Sequence, residues 1–260
     1  MVVAADTFGT YGRRGSCLAS LRAARVFDHL VTWAIALVLL LFGGIAGYGL
    51  WDSWKVTEGT DLTQYRPGGP GFAELLQMNP DVVAWIKVDG TSIDYPVVQG
   101  EDNFEYLDKD ATGASSASGS IFLDSECGRS FSEPYEVLFG HHMALHKMFG
   151  DIDLFLDEGF FDQNTTATLY LPQETLDLEV CAVLSENAYS RTLFATPAGQ
   201  DRVAEVRLLA EQGAVHYRTG SISDSDQLIA LSTCSSEATD QRTILICKVA
   251  NRYGSDNANQ

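Results

Sequence analysis

The chain has 260 residues, 45% of them hydrophobic and 10% aromatic, which is ample for a packed core and excludes global disorder. Its 17 basic and 35 acidic residues give a formal charge of −18, and that argues against a nucleic-acid binder, which needs a basic face. Four basic residues (Arg13, Arg14, Arg22, Arg25) and two acidic ones (Asp6, Asp28) lie in residues 1–29, and setting them aside leaves 13 basic and 33 acidic residues, a formal −20. Acidity on this scale serves mostly solubility, and it also suits a cationic amine substrate.

In chain order, the first feature is Leu30 to Trp51, 22 residues without a charge. As a helix rising about 1.5 Å per residue it would cover roughly 33 Å, enough for a bilayer core. Trp33, Tyr48 and Trp51 sit near its ends, where amphipathic rings favour the interface. A signal-peptide core is shorter, roughly 7–15 residues, so residues 30–51 are expected to be an uncleaved anchor. The four arginines precede the span, while Asp52, Glu58 and Asp61 follow it. That asymmetry predicts a cytoplasmic tail over 1–29 and an external bulk. Residues 52–70 are polar, end in Arg66-Pro-Gly-Gly-Pro-Gly, and read as a flexible linker.

Beyond the linker, Phe72, Leu75 and Leu76 follow helical spacing up to Asn79-Pro80. Val82 to Val88, Asp89-Gly90 and Thr91 to Val98 read as strand, turn and strand, with Pro96 confining the second to an edge or bulge. Ser120 to Asp124 and Tyr135 to Gly140 read as strands, Met148 to Phe161 as a helix, and Thr166 to Leu171 as a strand. Leu176 to Leu184 alternates cleanly as another strand. Val203, Val206 and Ala210 mark an amphipathic helix over Gln200 to Ala214, with Gly213 near its end. Two β-branched runs, Gln227 to Leu231 and Thr243 to Val249, close the chain. These seven or eight short strands with inserted helices predict one mainly β domain over residues 71–253, a closed barrel, followed by a flexible tail over 254–260.

The last two runs bracket the chemistry. Paired antiparallel, they set Cys234 opposite Arg242 across a polar loop, Ser235 to Gln241, with Cβ atoms roughly 5 Å apart. A thiol beside a guanidinium suits a nucleophile with an anion stabiliser. Ordinarily, though, such a cysteine is a small buried hydrophobe and such an arginine is solvated. The remaining cysteines show no C-x-x-C spacing and no ligand pattern with histidines, so no zinc site is expected. Cys17 precedes the anchor. Cys181 and Cys247 fall inside strands, and Cys127 reads as an exposed loop thiol. A thiol nucleophile needs a proton carrier, usually histidine. His29 abuts the anchor and His216 lies in a strand-like stretch. His141, His142 and His146 cluster just after a strand. His141 follows Gly140 at the strand end, where two strand ends at one barrel mouth would bring it to Cys234.

With these residues in view, the chain resembles the class B sortases, membrane-anchored cysteine transpeptidases of Gram-positive envelopes. The resemblance covers roughly residues 71–252. It rests on Asn79-Pro-Asp-Val-Val-Ala-Trp-Ile, Ile93-Asp-Tyr-Pro-Val-Val-Gln, Gly119-Ser-Ile-Phe-Leu-Asp, Phe139-Gly-His-His-Met and Leu231-Ser-Thr-Cys with the downstream Arg242. The extra helix near 200–214 fits class B. The resemblance implies an eight-stranded barrel, Cys234 as nucleophile, His141 as general acid/base with His142 as a contender, and Arg242 as stabiliser of substrate and oxyanion. Ser232, Thr233 and Ser235 would line the substrate pocket, Ser235 through its backbone N–H. The expected partners are surface proteins carrying a C-terminal sorting signal similar to Asn-Pro-Gln-Thr-Asn, and a peptidoglycan cross-bridge amine or lipid-linked precursor. No metal or organic cofactor and no nucleic acid are expected. The rival readings are a pilus-assembling or hydrolytic enzyme using the same thioester, and an anchored module that only binds.

Overall fold

The computed structural model describes residues 29–47, 62–143, 146–234 and 240–254. The chain divides into two units, Met1–Lys55 and Val56–Gln260. The first contains helix α1, His29–Gly47, which is 19 residues long with a mean hydropathy of 2.3 and is long and apolar enough to cross a membrane. Residues 48–51, the expected end of the anchor, lie outside the described residues, as do the N-terminal arginines and Cys17.

In the second unit, α2 (Gly71–Met78) leads into β1 (Val82–Val88), β2 (Asp94–Val98), β3 (Ile121–Leu123) and β4 (Tyr135–Phe139). A small ribbon follows, β5 (His142–Met143) with β6 (Lys147–Met148), then a 3-10 helix Gly150–Leu156 and α3 (Glu158–Gln163). The chain continues with β7 (Thr166–Tyr170), β8 (Glu174–Asn187), α4 (Arg191–Phe194), α5 (Asp201–Gly213) and β9 (His216–Tyr217). It ends with the hairpin of β10 (Leu228–Cys234) and β11 (Gln241–Gly254).

Pairing runs β11-β10-β4-β3-β2-β1-β7-β8, and β8 pairs back onto β11, which closes an eight-stranded barrel with β9 appended to β8. The β2–β3 and β4–β10 neighbours are parallel; the other neighbours in the ring are antiparallel. All eight strands contribute apolar side chains to one cluster, which identifies it as the barrel interior; Phe149 and, from the helices after it, Ile152, Phe155 and Phe161 join it. The opposite faces of β4, β8, β10 and β11 carry Val137, Leu184, Ala230 and Ile244, covered by α4 and α5 through Leu193, Val203 and Val206. A third cluster seats α2 on Trp85 and Phe122. Alternation along each strand thus feeds two cores, as period-two sheet geometry requires.

Three expectations are corrected. The helix expected over 148–161 is instead the end of β6 followed by two short helices, which are divided because Asp157 takes an extended conformation (ψ 127°) and caps α3 by accepting the Phe160 N–H at 2.9 Å. The alternation of β8 breaks at Cys181: Cys247 pairs with Val180 and Ile246 with Ala182, so Cys181 is an extra, bulged residue. Leu178 and Val180 point inward before the bulge and Val183 after it. Pro96 keeps its expected kind of place: it lies opposite Trp85, next to the register shift between Val82 and Ala84 and just before the two residues of β2 that pair with β3. Residues 62–70 are held against the barrel rather than free of it: Leu62 and Tyr65 pack on the α2 cluster, and Arg66 pairs with Asp94 at 2.7 Å.

At the barrel end opposite the loop after Cys234, Glu136 is fully buried and its Oε1 has no partner among the described residues. Burial pushes its carboxyl up to about 8, against the lowering effects of a Glu133 backbone hydrogen bond, Gln227 and Arg252. The folded form therefore holds a proton that the unfolded chain releases near the ordinary carboxylate value. Stability from this group is complete below about pH 4.5 and is lost as pH rises toward 8, by roughly 1.4 kcal/mol per unit at most. Thermal melts of Glu136→Gln should gain on wild type between pH 5 and pH 8; parallel melting curves across that range would exclude the effect.

Candidate active site

The parallel pairing of β4 with β10 sets the geometry. Ser232 pairs with Phe139, and Gly140 N–H donates to the Ser232 carbonyl at 3.2 Å. The same offset carried two residues further puts His141 level with Cys234. On the other side of β10, Cys234 pairs directly with Arg242. Extended in this way, the register sets His141, just past the end of β4, in a row with position 234 and its direct partner Arg242. The antiparallel expectation for Cys234 and Arg242 holds residue for residue.

Each flanking member is fixed by its own surroundings. Gly140 allows the turn into His141: a Cβ there would lie 2.8 Å from the Phe149 ring, which fills the barrel beneath it. The His141 imidazole is half-buried, with Nε2 at 2.9 Å from the Leu107 carbonyl. The neighbouring histidines are engaged elsewhere: His142 Nε2 lies 3.0 Å from Asp153, and His146 Nδ1 lies 2.5 Å from Asp151. Ser92 N–H donates to the other Asp151 oxygen at 2.7 Å. These contacts staple the β5–β6 ribbon beside the site and leave His141 the histidine in the row. His216 serves the fold: its Nε2 meets the Leu156 carbonyl at 2.9 Å.

Arg242 lies over two rings, 5.9 Å from the Phe139 centroid and 5.7 Å from that of Phe194. Among the described residues no carboxylate forms an ion pair with it. A guanidinium held by aromatic faces and not by a counter-ion keeps its N–H donors for an anion or carbonyl. Phe194 comes from α4, which is pinned by the Tyr135 hydroxyl donating to the Leu193 carbonyl at 3.0 Å and by Arg202 donating to the Arg191 and Thr192 carbonyls. The segment after α4 and the long β2–β3 loop meet at Asp124, whose carboxylate accepts from the Thr196 hydroxyl at 2.8 Å and the Asn103 amide at 3.1 Å. Ser232 and Thr233, the two residues before position 234, are fully buried. Ser235 and most of the loop to Arg242 lie outside the described residues. The sequence gives no sign of Phe194 or of the Leu107 carbonyl as site components; Phe139, two residues before His141 on the same face, is the one neighbour that alternation could have identified.

No family model matches the chain. Among curated proteins, the sortase B of Listeria monocytogenes is 30% identical over 168 residues, covering 63% of this chain and 67% of that protein. Among solved structures, Clostridium perfringens sortase B is 32% identical with a TM-score of 0.64, covering 69% of this chain and all of that one. A Streptococcus pyogenes class B sortase involved in pilus biogenesis is 34% identical with a TM-score of 0.63, covering 70% of this chain and all of that one. The chain belongs to the class B sortases. It is thus a sortase-type cysteine transpeptidase, and its apolar α1 fits the membrane or cell-surface association of such enzymes.

The sortase's other described cysteines are placed where they cannot compete as nucleophiles. Cys127, expected to be an exposed loop thiol, is 5% exposed, and burial pushes its thiol up to about 12. The reason is that Gln99 draws the loop inward, donating to the Asp124 and Cys127 carbonyls at 2.9 and 2.7 Å. Cys181 and Cys247 are fully buried, and burial raises both thiols. Full-length sortase carrying Cys17→Ser should take up one equivalent of iodoacetamide per folded chain in detergent micelles, and none after Cys234→Ala; two or more equivalents would contradict these placements. Among the described residues, no group of three or more His, Cys, Asp or Glu is arranged to hold a metal ion.

Proposed function

We propose that this sortase cleaves a C-terminal sorting signal similar to Asn-Pro-Gln-Thr-Asn after its threonine and transfers the protein to a cell-wall amine through a thioester on Cys234. The observation that carries this reading is the pairing of Cys234 with Arg242 beside the β4–β10 ladder, whose offset extended by two residues leads to His141. Cys234 gives its thiol proton to His141 as its sulfur attacks the threonine carbonyl carbon, and the carbonyl oxygen becomes an oxyanion. Arg242 donates to that oxygen, with the backbone N–H of Ser235 as a second donor. Collapse breaks the C–N bond, the departing amine takes a proton from His141, and the thioester remains. An acceptor amine then attacks the thioester, His141 takes its proton and passes it to the departing sulfur, and the new amide leaves a free thiol on Cys234. Ser232 and Thr233 shape the floor of the substrate pocket beneath this centre.

The arginines at 13, 14, 22 and 25 precede α1, which favours a cytoplasmic N-terminus and an external barrel. Similarity to a pilus-biogenesis enzyme favours a second acceptor, the lysine amine of a pilin subunit. Incubating the full chain in detergent micelles with a quenched Asn-Pro-Gln-Thr-Asn peptide, with and without triglycine, tests the reading. The expected mass-spectrometric product is the threonine fragment joined to triglycine. Cleavage with water as the acceptor even at high triglycine would replace transfer with hydrolysis, and a product joined only to a pilin lysine peptide would favour the second acceptor.

A further inference from the structure

Gly119 belongs to the Gly119-Ser-Ile-Phe segment that enters β3, and its backbone is left-handed at φ +58°. A Cβ there would lie 2.5 Å from the Leu107 carbonyl oxygen, 2.8 Å from the Tyr106 carbonyl oxygen and 3.0 Å from Cδ2 of His141. Three groups from two stretches of chain, Tyr106-Leu107 and His141, converge on the space a side chain would take. The segments are stitched on both sides, by Gly119 N–H to the Ser116 carbonyl at 3.0 Å and by Ser120 N–H to the Tyr106 carbonyl at 3.0 Å. The missing side chain lets the Leu107 carbonyl and the His141 ring approach within hydrogen-bonding distance, 2.9 Å from oxygen to Nε2.

That contact has a chemical consequence. A carbonyl oxygen only accepts, so the nitrogen facing it must carry hydrogen. With Nε2 protonated in both charge states, the neutral ring has its bare lone pair on Nδ1. We propose that Gly119 is a positioning residue for this sortase: by admitting the Leu107 carbonyl against His141 it locks the Nε2–H tautomer, making Nδ1 the atom that exchanges the catalytic proton. The inference rests on His141 being the acid/base of the reaction and goes further by assigning the atom and the device that selects it. The bond to Leu107 also restrains the ring against turning about its side-chain torsions, so orientation and tautomer are set by one contact.

The test begins with the unaltered enzyme. Full-length sortase labelled with ¹⁵N-histidine is followed by two-bond ¹H–¹⁵N correlation as pH is raised until the spectrum stops changing, and His141 is assigned by the peaks lost in His141→Gln. The expected pattern is a bare Nδ1 and a protonated Nε2; an Nδ1–H tautomer, or an average of the two, overturns the proposal. Gly119→Ala should mix the tautomers and lower kcat about 10- to 100-fold with KM for the peptide little changed. A folded Gly119→Ala enzyme with wild-type kcat and an unmixed Nε2–H signal also overturns it, and if that variant fails to fold the wild-type spectrum decides alone. Failure of the underlying reading looks different: His141→Ala would keep full activity whatever the tautomer.

Discussion

Replacing Cys234 with alanine should abolish both cleavage and transfer, a loss on the order of 10⁵- to 10⁶-fold in kcat. The size of the effect follows from what disappears. Without sulfur there is no thioester, so the peptide bond must be opened by water in one step, with only the donors and binding contacts left to help. Removing a covalent nucleophile from an otherwise intact site leaves a residual rate of that kind. No rescue by the other cysteines is expected, since Cys127, Cys181 and Cys247 are buried and their thiols are held protonated by burial. The fold should be unaffected, because position 234 ends β10 and the apolar pairs of the hairpin lie earlier, Ile229 with Cys247, Ala230 with Ile246 and Leu231 with Leu245. Peptide turnover by Cys234→Ala within tenfold of wild type, with an unchanged melting temperature, would remove the thiol from the mechanism.

Arg242→Ala should lower kcat by about 10²- to 10³-fold, the usual consequence of losing one oxyanion donor, with a smaller change in KM. The more discriminating variant is Arg242→Lys. It keeps the charge, so a purely electrostatic role predicts near-complete recovery. The structure predicts otherwise: the guanidinium is oriented by the faces of Phe139 and Phe194, 5.9 and 5.7 Å away. A compact ammonium on a flexible stem neither stacks in that way nor presents a planar fork. Arg242→Lys should therefore remain within about tenfold of Arg242→Ala, and Phe194→Leu should reproduce part of the loss without touching the charge. Full activity in Arg242→Lys would reduce the arginine to a general positive charge.

The parts of the molecule that could be read from its sequence are the parts encoded by short-range pattern. Alternation gave the strands, and the two β-branched runs around Ser235 to Gln241 gave the hairpin with its register, Cys234 against Arg242. The helix over α5 followed from Val203, Val206 and Ala210, which are buried. Where pattern failed, a single residue or a distant partner decided. Asp157 divides a segment whose apolar spacing looks continuous. The bulge at Cys181 reverses the faces of a strand that reads as unbroken. Cys127 is carried inside by Gln99, a long-range hydrogen bond with no local signature. In the candidate site, His141 and Cys234 were legible as strand ends but their alignment was not, because it depends on a parallel pairing between β4 and β10. Phe194 reaches Arg242 from an inserted helix, and the Leu107 contact belongs to a backbone oxygen that every residue type possesses.

The parallel pairing has a kinetic side. The final hairpin is local and can form early, since its strands are joined by a short loop and need little loop closure. The pairing of Ser232 with Phe139 spans 93 residues, and such non-local contacts come late and slowly in folding. Until it forms, the chain holds Cys234 beside Arg242 with no imidazole at the same level. An unfinished barrel thus carries its thiol without the imidazole proposed to handle its proton, and the proposed centre comes into being with the closing of the barrel.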